Sequence, residues 1–219
     1  MSADKLKSSP NNRIFAITEA LKSASGIAES NCDHPLGRMP EYFMAMQVAQ
    51  YFSQEFLNFG YRLEASVKDT LLDAGVTEDE VSRMLDREEL RGNGRFDLVL
   101  RTGKGKAPAH VIEFKRGSRS THLAKDLIRL AYMSKAVSQG AKLETNYLVF
   151  TTKKSEECLN SMLKEQMAEF RKDKSTKTGG VFYQLKCHEP IRHWAKDDKD
   201  KKPAKMAIAI FEVRYKHTS

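Results

Sequence analysis

Helical spacing of apolar residues is the first pattern along the chain. It predicts a short helix over residues 12–24, with Asn12 as its N-cap, and a buried helix over residues 41–58 that is apolar on nearly all sides. The same spacing recurs over residues 121–139 and 156–170 and predicts two later helices. Each of these segments is long enough to cover part of a sheet.

Strand-like stretches alternate with these helices. Short apolar or alternating runs predict strands over residues 61–67, 95–101, 110–115, 146–152, 181–187 and 206–215. Between the first two strands, Thr77 and Glu80 have the spacing of a capping box and predict one more short helix. The order of the elements predicts an α/β fold, with a mixed central β-sheet flanked by helices.

Composition excludes several classes of protein. Hydrophobic residues make up 40% of the 219 residues, which suits a packed core, and no apolar run approaches the roughly 20 residues of a membrane span. Residues 1–10 lack the apolar segment of a secretory signal, so we expect a cytoplasmic protein. The three cysteines include no CxxC pair, which argues against a disulfide framework.

The charge of the chain is concentrated near its end. The net charge is +8, and residues 171–219 contain 13 Lys or Arg against 6 Asp or Glu. A localised basic surface suits a polyanion such as nucleic acid, and the candidate backbone contacts in this region are Lys199, Lys201, Lys202 and Lys205. The alternative is a solvated lysine-rich loop that only aids solubility.

The strand over residues 95–101 carries one acidic residue among apolar ones. Strand alternation places Phe96, Leu98 and Leu100 on one face and Asp97 on the other. The neighbouring strand over residues 110–115 follows after a short, turn-rich connector, so we expect the two to form a hairpin.

The second strand of this hairpin carries an acid and a base on one face. Ile112 and Phe114 share a face, which places Glu113 and Lys115 together on the opposite one. If both apolar faces enter the same core, Asp97 joins them there, and carboxylate oxygens in this arrangement suit Mg²⁺. The alternative is an ordinary ion pair on an exposed strand.

At these positions the chain resembles the PD-(D/E)XK nuclease superfamily, which has the restriction-endonuclease-like fold. GRFDLVL, a short connector and VIEFKRG match an acidic residue on one strand and Glu-x-Lys on the next, followed by a helix and a further strand. The resemblance covers about residues 40–152, and Phe96 stands where the name-giving pattern has proline. It implies a nuclease-like domain over residues 40–219, with basic C-terminal strands in 171–219. We expect residues 1–39 to form an N-terminal extension with one helix.

Many members of this superfamily carry a further acid on the preceding helix. Glu41 is the match, because its helix is expected to cross the face of the hairpin that carries the polar side chains. Glu55 and Glu64 stay open as alternatives.

The resemblance implies a metal-dependent nuclease that hydrolyses phosphodiester bonds, most readily those of DNA. Asp97 and Glu113 would bind Mg²⁺, or Mn²⁺ in its place, together with the backbone carbonyl of Phe114. Glu41 would hold a second ion or its water, and Lys115 would stabilise charge at the attacking water and the scissile phosphate.

Other basic residues are candidates for contacts with the nucleic acid backbone: Lys104, Lys106, Arg116 and Arg119. Two rivals to the nuclease stay open. One is a non-catalytic nucleic-acid-binding or assembly subunit with the same fold, and the other is a defence-system nuclease that acts only with partner proteins. A homodimer is a further possibility.

Overall fold

The fold is that of a computed structural model, which describes residues 5–102, 107–137, 143–172, 178–193 and 204–216. A six-stranded mixed sheet lies between two layers of helices, and a long helix precedes it at the N-terminus. The predicted α/β class is therefore confirmed. Within the described residues, no helix is both long and apolar enough to cross a membrane.

The described α-helices are, in chain order, α1 (Pro10–Cys32), α2 (Glu41–Glu55), α3 (Val67–Asp73), α4 (Glu78–Leu85), α5 (Ser120–Ala136) and α6 (Glu156–Lys172). One-turn 3-10 helices occur at Leu36–Arg38 and Glu88–Leu90. The capping box predicted at the start of α4 is confirmed, because Thr77 and Glu80 bond each other's backbone N–H groups.

The strands of the sheet are β1 (Phe59–Ser66), β2 (Arg95–Thr102), β3 (Ala107–Lys115), β4 (Asn146–Thr152), β5 (Val181–His193) and β6 (Ala204–Tyr215). Their spatial order is β1-β2-β3-β4-β6-β5. Among the described strands, β3 and β4 are parallel neighbours, and helix α5 connects them. The other neighbouring strands are antiparallel. The carboxyl ends of β3 and β4 therefore lie side by side, the edge at which open α/β sheets bind ligands.

The two faces of the sheet enclose separate hydrophobic cores. Residues Ile17 of α1 and Phe52 of α2 share one core with Ile112 of β3. The other core contains Leu127 of α5 and Leu163 of α6. The helix of the N-terminal extension is thus part of the same packed unit as the sheet.

Both N-terminal helices differ from the prediction in their bounds. The N-cap of α1 is Ser9, whose side chain accepts a hydrogen bond from the Asn12 N–H, so Asn12 lies inside the helix rather than at its cap. Buried Ala24 and Ala28 continue the apolar side of α1 past residue 24. Helix α2 ends at Glu55 because Phe56 is extended and forms a bridge to a residue near the N-terminus.

One residue of β2 lies on the opposite face from that predicted. Leu98 and Leu100 face α1 and α2, whereas Phe96 belongs to the core under α5. The ladder between β1 and β2 has no pair at Glu64 and Asp97, and Glu64 has a positive φ of 49°. The alternation of side chains between the two faces of the sheet is therefore interrupted in β2 at this point. The face of Phe96 cannot be deduced from that of Leu98.

Candidate active site

Asp97 lies where β2 and β3 separate. The ladder between the two strands ends at the pair Leu98–Ile112. Beyond it, the Phe114 N–H donates to the carboxylate Oδ2 of Asp97 at 2.7 Å, so a side chain replaces the missing backbone partner. This bond holds the carboxylate beside the end of β3.

Glu113 projects from β3 into the space under α5. Its side chain is 3% exposed, and Oε1 accepts a hydrogen bond from Nη1 of Arg129 at 2.8 Å. Burial raises the pKa of the Glu113 carboxyl well above its usual range, and the nearby charge of Asp97 raises it further. The guanidinium of Arg129 opposes both influences by favouring the carboxylate. Asp97 and Glu113 are thus electrostatically coupled neighbours.

Lys115 follows two residues later on the same face, as the sequence predicts. Its Nζ donates to the Phe114 carbonyl at 2.7 Å and lies 3.3 Å from Glu41 Oε2 and 3.6 Å from Asp126 Oδ2. Burial is the largest influence on the pKa of the ammonium and lowers it. The surrounding carboxylates, first Asp126 and then Glu113, outweigh that effect and raise the pKa overall.

Glu41 joins the site from the N-terminus of α2. Its Oε1 accepts from the Arg116 N–H at 3.2 Å, and its Oε2 receives Lys115. The expectation that α2 crosses the polar face of the hairpin is wrong, because α2 packs on the opposite face, against Ile112 and Phe114. Its first residue reaches around the end of β3.

The two alternative acids lie apart from this cluster. Glu55 is exposed at the end of α2, and its backbone carbonyl accepts from the Leu6 N–H. Glu64 is opposite Asp97 in the register of β1 and β2, but its side chain is exposed. Among the described residues, neither forms an ion pair with Lys115.

Helix α5 adds residues that sequence reasoning missed. Asp126 and Arg129, three positions apart, are 2% and 4% exposed and face the site. Arg91, which follows the second 3-10 helix, donates to Asp126 Oδ1. Within the described part of the chain, Asp126 Oδ2 and Arg129 Nη2 have no hydrogen-bond partner, although both are buried. Their only sequence signal is two charges of opposite sign set among apolar residues of one helix.

The donor set suits a hard cation in its chemistry. Asp97 and Glu113 supply carboxylate oxygens. The Phe114 carbonyl already accepts a hydrogen bond from a cation, the ammonium of Lys115. Across the described ranges, no three His, Cys, Asp or Glu residues group as metal ligands. Two carboxylates are nevertheless enough for Mg²⁺, which keeps several of its waters. In donor chemistry, Asp97, Glu113 and the Phe114 carbonyl are therefore candidate ligands for a hydrated Mg²⁺ ion.

The predicted nucleic-acid contacts have different outcomes. Arg116 and Arg119 are exposed between β3 and α5, beside the site. Lys205 belongs to β6 by its backbone, opposite Arg192. The other predicted contacts lie outside the described residues: Lys104, Lys106, Lys199, Lys201 and Lys202.

Comparison with protein-family models, with curated proteins and with solved structures gave no match to the chain.

Proposed function

We propose that the protein is a metal-dependent nuclease of the PD-(D/E)XK type that hydrolyses phosphodiester bonds. The observation that carries the proposal is the convergence of Asp97, Glu113 and Lys115 at one end of a central hairpin, with Glu41 beside them. Burying several charged groups together costs folding free energy, so such a cluster usually has a function. The resemblance to restriction-endonuclease-like nucleases favours DNA over RNA as the substrate.

Each residue of the site has a part in this proposal. Asp97, Glu113 and the Phe114 carbonyl would hold Mg²⁺ or Mn²⁺, which supplies Lewis acidity and an activated water when bound. Lys115 contributes a fixed positive charge for the phosphoryl oxygens as negative charge develops on them. Its ammonium is held in position by carboxylates on two helices, Glu41 on α2 and Asp126 on α5.

Buried Glu113 is a suitable ligand for a divalent cation. Its pKa is raised by burial and by Asp97 even though the Arg129 guanidinium opposes both, so its ionised form stays costly in the site. A divalent cation held by Asp97 and Glu113 would offset their repulsion and favour the ionised form. Metal binding should therefore release protons and depend on pH.

A second candidate function is a nucleic-acid-binding subunit that does not cut. One observation favours it: Arg129 already neutralises Glu113, so the buried carboxylate has a partner without any metal. In that case Asp97, Glu113 and Lys115 would form a structural charge network at the end of the hairpin.

Cleavage assays distinguish the two functions. Purified wild-type and Asp97→Asn proteins are incubated with supercoiled plasmid, linear DNA and RNA, in Mg²⁺, Mn²⁺ or EDTA. The nuclease proposal expects wild-type cleavage with metal, none in EDTA and a large loss in Asp97→Asn. Binding of DNA without cleavage in either metal would contradict the proposal and support the second candidate.

A further inference from the structure

A basic cleft lies beside the candidate active site, at the carboxyl ends of β3 and β4. It has a volume of about 540 Å³ and lies among three short segments. The first belongs to residues 35–38 of the N-terminal extension, the second to residues 116–118 after β3, and the third to residues 151–154 at the end of β4.

The charge of this cleft has one sign. Four cationic side chains line it, Arg38, Arg116, Lys153 and Lys154, and its described lining contains no Asp or Glu. All four are exposed, and none forms an ion pair with any other residue that the structure describes. Positive charge gathered in a concave surface concentrates the local potential and attracts polyanions.

Hydrogen bonds hold the walls of the cleft together. Thr151 donates from Oγ1 to the Arg116 carbonyl at 2.8 Å, and Thr152 donates from Oγ1 to Ser118 Oγ at 3.2 Å. The Lys154 N–H donates to Thr152 Oγ1 at 3.0 Å. The loops that carry Arg116 and Lys154 are therefore fixed relative to each other before any ligand arrives.

Gly37 brings the third wall into place. A Cβ built at this position would lie 2.9 Å from Thr151 Oγ1 and 3.2 Å from Met206 Cε, which is closer than side chains normally approach. Glycine therefore allows the first 3-10 helix to lie directly against β4 and β6, and its last residue, Arg38, is held at the cleft.

The cleft adjoins the candidate active site at Arg116. The backbone N–H of Arg116, whose residue lines the cleft, donates to Glu41 at 3.2 Å, and Lys115 precedes it in the chain. Helix α5 begins at Ser120, two residues after Ser118, and has no side-chain N-cap and no acid in its first turn. The partial positive charge of its N-terminus adds to that of the cleft.

We infer that this cleft binds the sugar–phosphate backbone of nucleic acid adjacent to the bond that is cut. The inference rests on the proposed function for the identity of the ligand. Four cations in a cleft of about 540 Å³, none paired with a described acid, exceed what one phosphate needs, so the cleft takes two or more successive phosphates. Lysine and arginine side chains gathered in this way suit phosphate contacts, so we expect binding to be independent of sequence.

The test measures binding without cleavage. Fluorescence anisotropy of labelled duplex DNA, single-stranded DNA and RNA is recorded in EDTA over a range of salt concentrations. The test variant is Lys153→Gln/Lys154→Gln, and the control is Lys68→Gln/Lys164→Gln. The control removes the same charge from exposed positions on α3 and α6.

The test variant should bind unrelated duplexes more weakly by a similar factor. Its log–log salt slope should be reduced by about 2, one for each phosphate that a lysine no longer neutralises. The control variant should keep the wild-type slope. Equal reductions in both variants, or a wild-type slope in the test variant, would overturn the inference. The inference would also be overturned if millimolar inorganic phosphate displaced the labelled DNA as well as unlabelled DNA does, because that result would indicate a site for a single anion.

Arg38→Gln tests the contribution of the N-terminal segment in the same assay, and we expect its slope to fall by about 1. The outcomes separate this inference from the proposed function. Binding that depends on Lys153 and Lys154 without cleavage in any metal would leave the cleft standing and reject the nuclease. Cleavage by the wild type together with unchanged DNA binding in the cleft variants would support the nuclease and reject the cleft as the binding site.

Discussion

Arg129 of α5 donates from Nη1 to Glu113 Oε1 of β3 at 2.8 Å, and both side chains are almost fully buried. The guanidinium also lies over the ring of Phe96, 4.3 Å from its centroid, and its Nε donates to the Leu90 carbonyl at 3.1 Å. Gly94 leaves the necessary space, because a Cβ there would lie 2.8 Å from Arg129 Nη2. A carboxylate, an aromatic ring and a glycine on separate elements thus surround one guanidinium.

Removal of this guanidinium should destabilise the protein. Arg129→Met leaves Glu113 buried beside Asp97 without its partner, and breaking a buried ion pair on one side typically costs about 3–5 kcal/mol. Urea denaturation in EDTA measures the free energy of unfolding. Mg²⁺ should restore stability to this variant more than to wild type, because the metal then supplies the missing positive charge.

The double variant Arg129→Met/Glu113→Gln is the control for this result. It removes both charges, so it should be more stable than the single variant in EDTA and gain little from Mg²⁺. A cost below about 1 kcal/mol in the single variant would mean that Glu113 is protonated or solvated without Arg129. The account of the buried pair would then be wrong.

Asp97 should be needed for metal binding. Asp97→Asn keeps an oxygen that can accept the Phe114 N–H but removes a charged donor, so Mn²⁺ affinity should fall by about tenfold or more. Isothermal titration calorimetry measures the change, and Glu64→Gln is the matched control across the ladder from Asp97. Equal Mn²⁺ affinity of Asp97→Asn and wild type would exclude Asp97 as a metal ligand. A reduction confined to Glu64→Gln would place the metal site at Glu64 instead.

His110 should make the protein sensitive to mild acid. Its Nδ1 bonds the Thr145 carbonyl, and its ring lies against Phe59 and Tyr147. Burial first, and the charge of Arg13 second, lower the pKa of His110 to about 4. The unfolded chain therefore binds a proton more readily than the folded one, and the stability that depends on neutral His110 is lost as pH falls from about 6.5 towards 4.

The pH dependence of unfolding separates His110 from other groups. Between pH 7 and pH 4.5 the wild type should lose about 2–3 kcal/mol more than His110→Phe, which keeps an aromatic ring but cannot be protonated. Urea midpoints at the two pH values measure this difference, and His122→Gln, at an exposed histidine of α5, should behave as wild type. Parallel losses in wild type and His110→Phe would rule out His110 as the acid-sensitive group.

Local signals predicted the fold well where structure depends on neighbours in sequence. The predicted bounds of β4 are those observed, and the capping box at Thr77 and Glu80 forms both of its hydrogen bonds. By contrast, the face of Phe96 depends on a break in the β1–β2 ladder and on Arg129, which is distant in sequence. Alternation along one strand carries no information about either.

For the candidate site, too, local features could be predicted from the sequence and contacts between distant segments could not. The shared face of Glu113 and Lys115 follows from strand geometry, and the proximity of Lys115 to Glu41 follows from the motif that the chain resembles. Asp126 and Arg129 were missed because α5 is buried on most of its surface, so its apolar spacing gives no indication of which side carries the charges. The basic cleft brings Arg38 of the N-terminal extension to the ends of β3 and β4, and that contact requires the tertiary structure.

Lys115 should separate binding from cutting. Its Nζ is held by the Phe114 carbonyl and by Glu41, with Asp126 beyond them. Lys115→Met keeps much of the aliphatic stem and deletes the charge, while Asp126 keeps its bond from Arg91 and the fold is retained. Because the deleted charge acts chiefly on the transition state, single-turnover cleavage should slow by about 10²–10³, or about 3–4 kcal/mol.

Binding should hardly change in this variant. Gel-shift affinity of Lys115→Met for DNA should move by less than about 1 kcal/mol, since many other basic residues are proposed to supply backbone contacts. Lys125→Met is the matched control, because Lys125 is an exposed lysine on α5, and it should cut and bind as wild type does. A Lys115→Met protein that cuts at the wild-type rate would make Lys115 a structural residue and remove the main support for the nuclease. Equal reductions of cleavage and affinity would mean that Lys115 binds the ground state of the substrate as tightly as the transition state, so its charge would not act in catalysis.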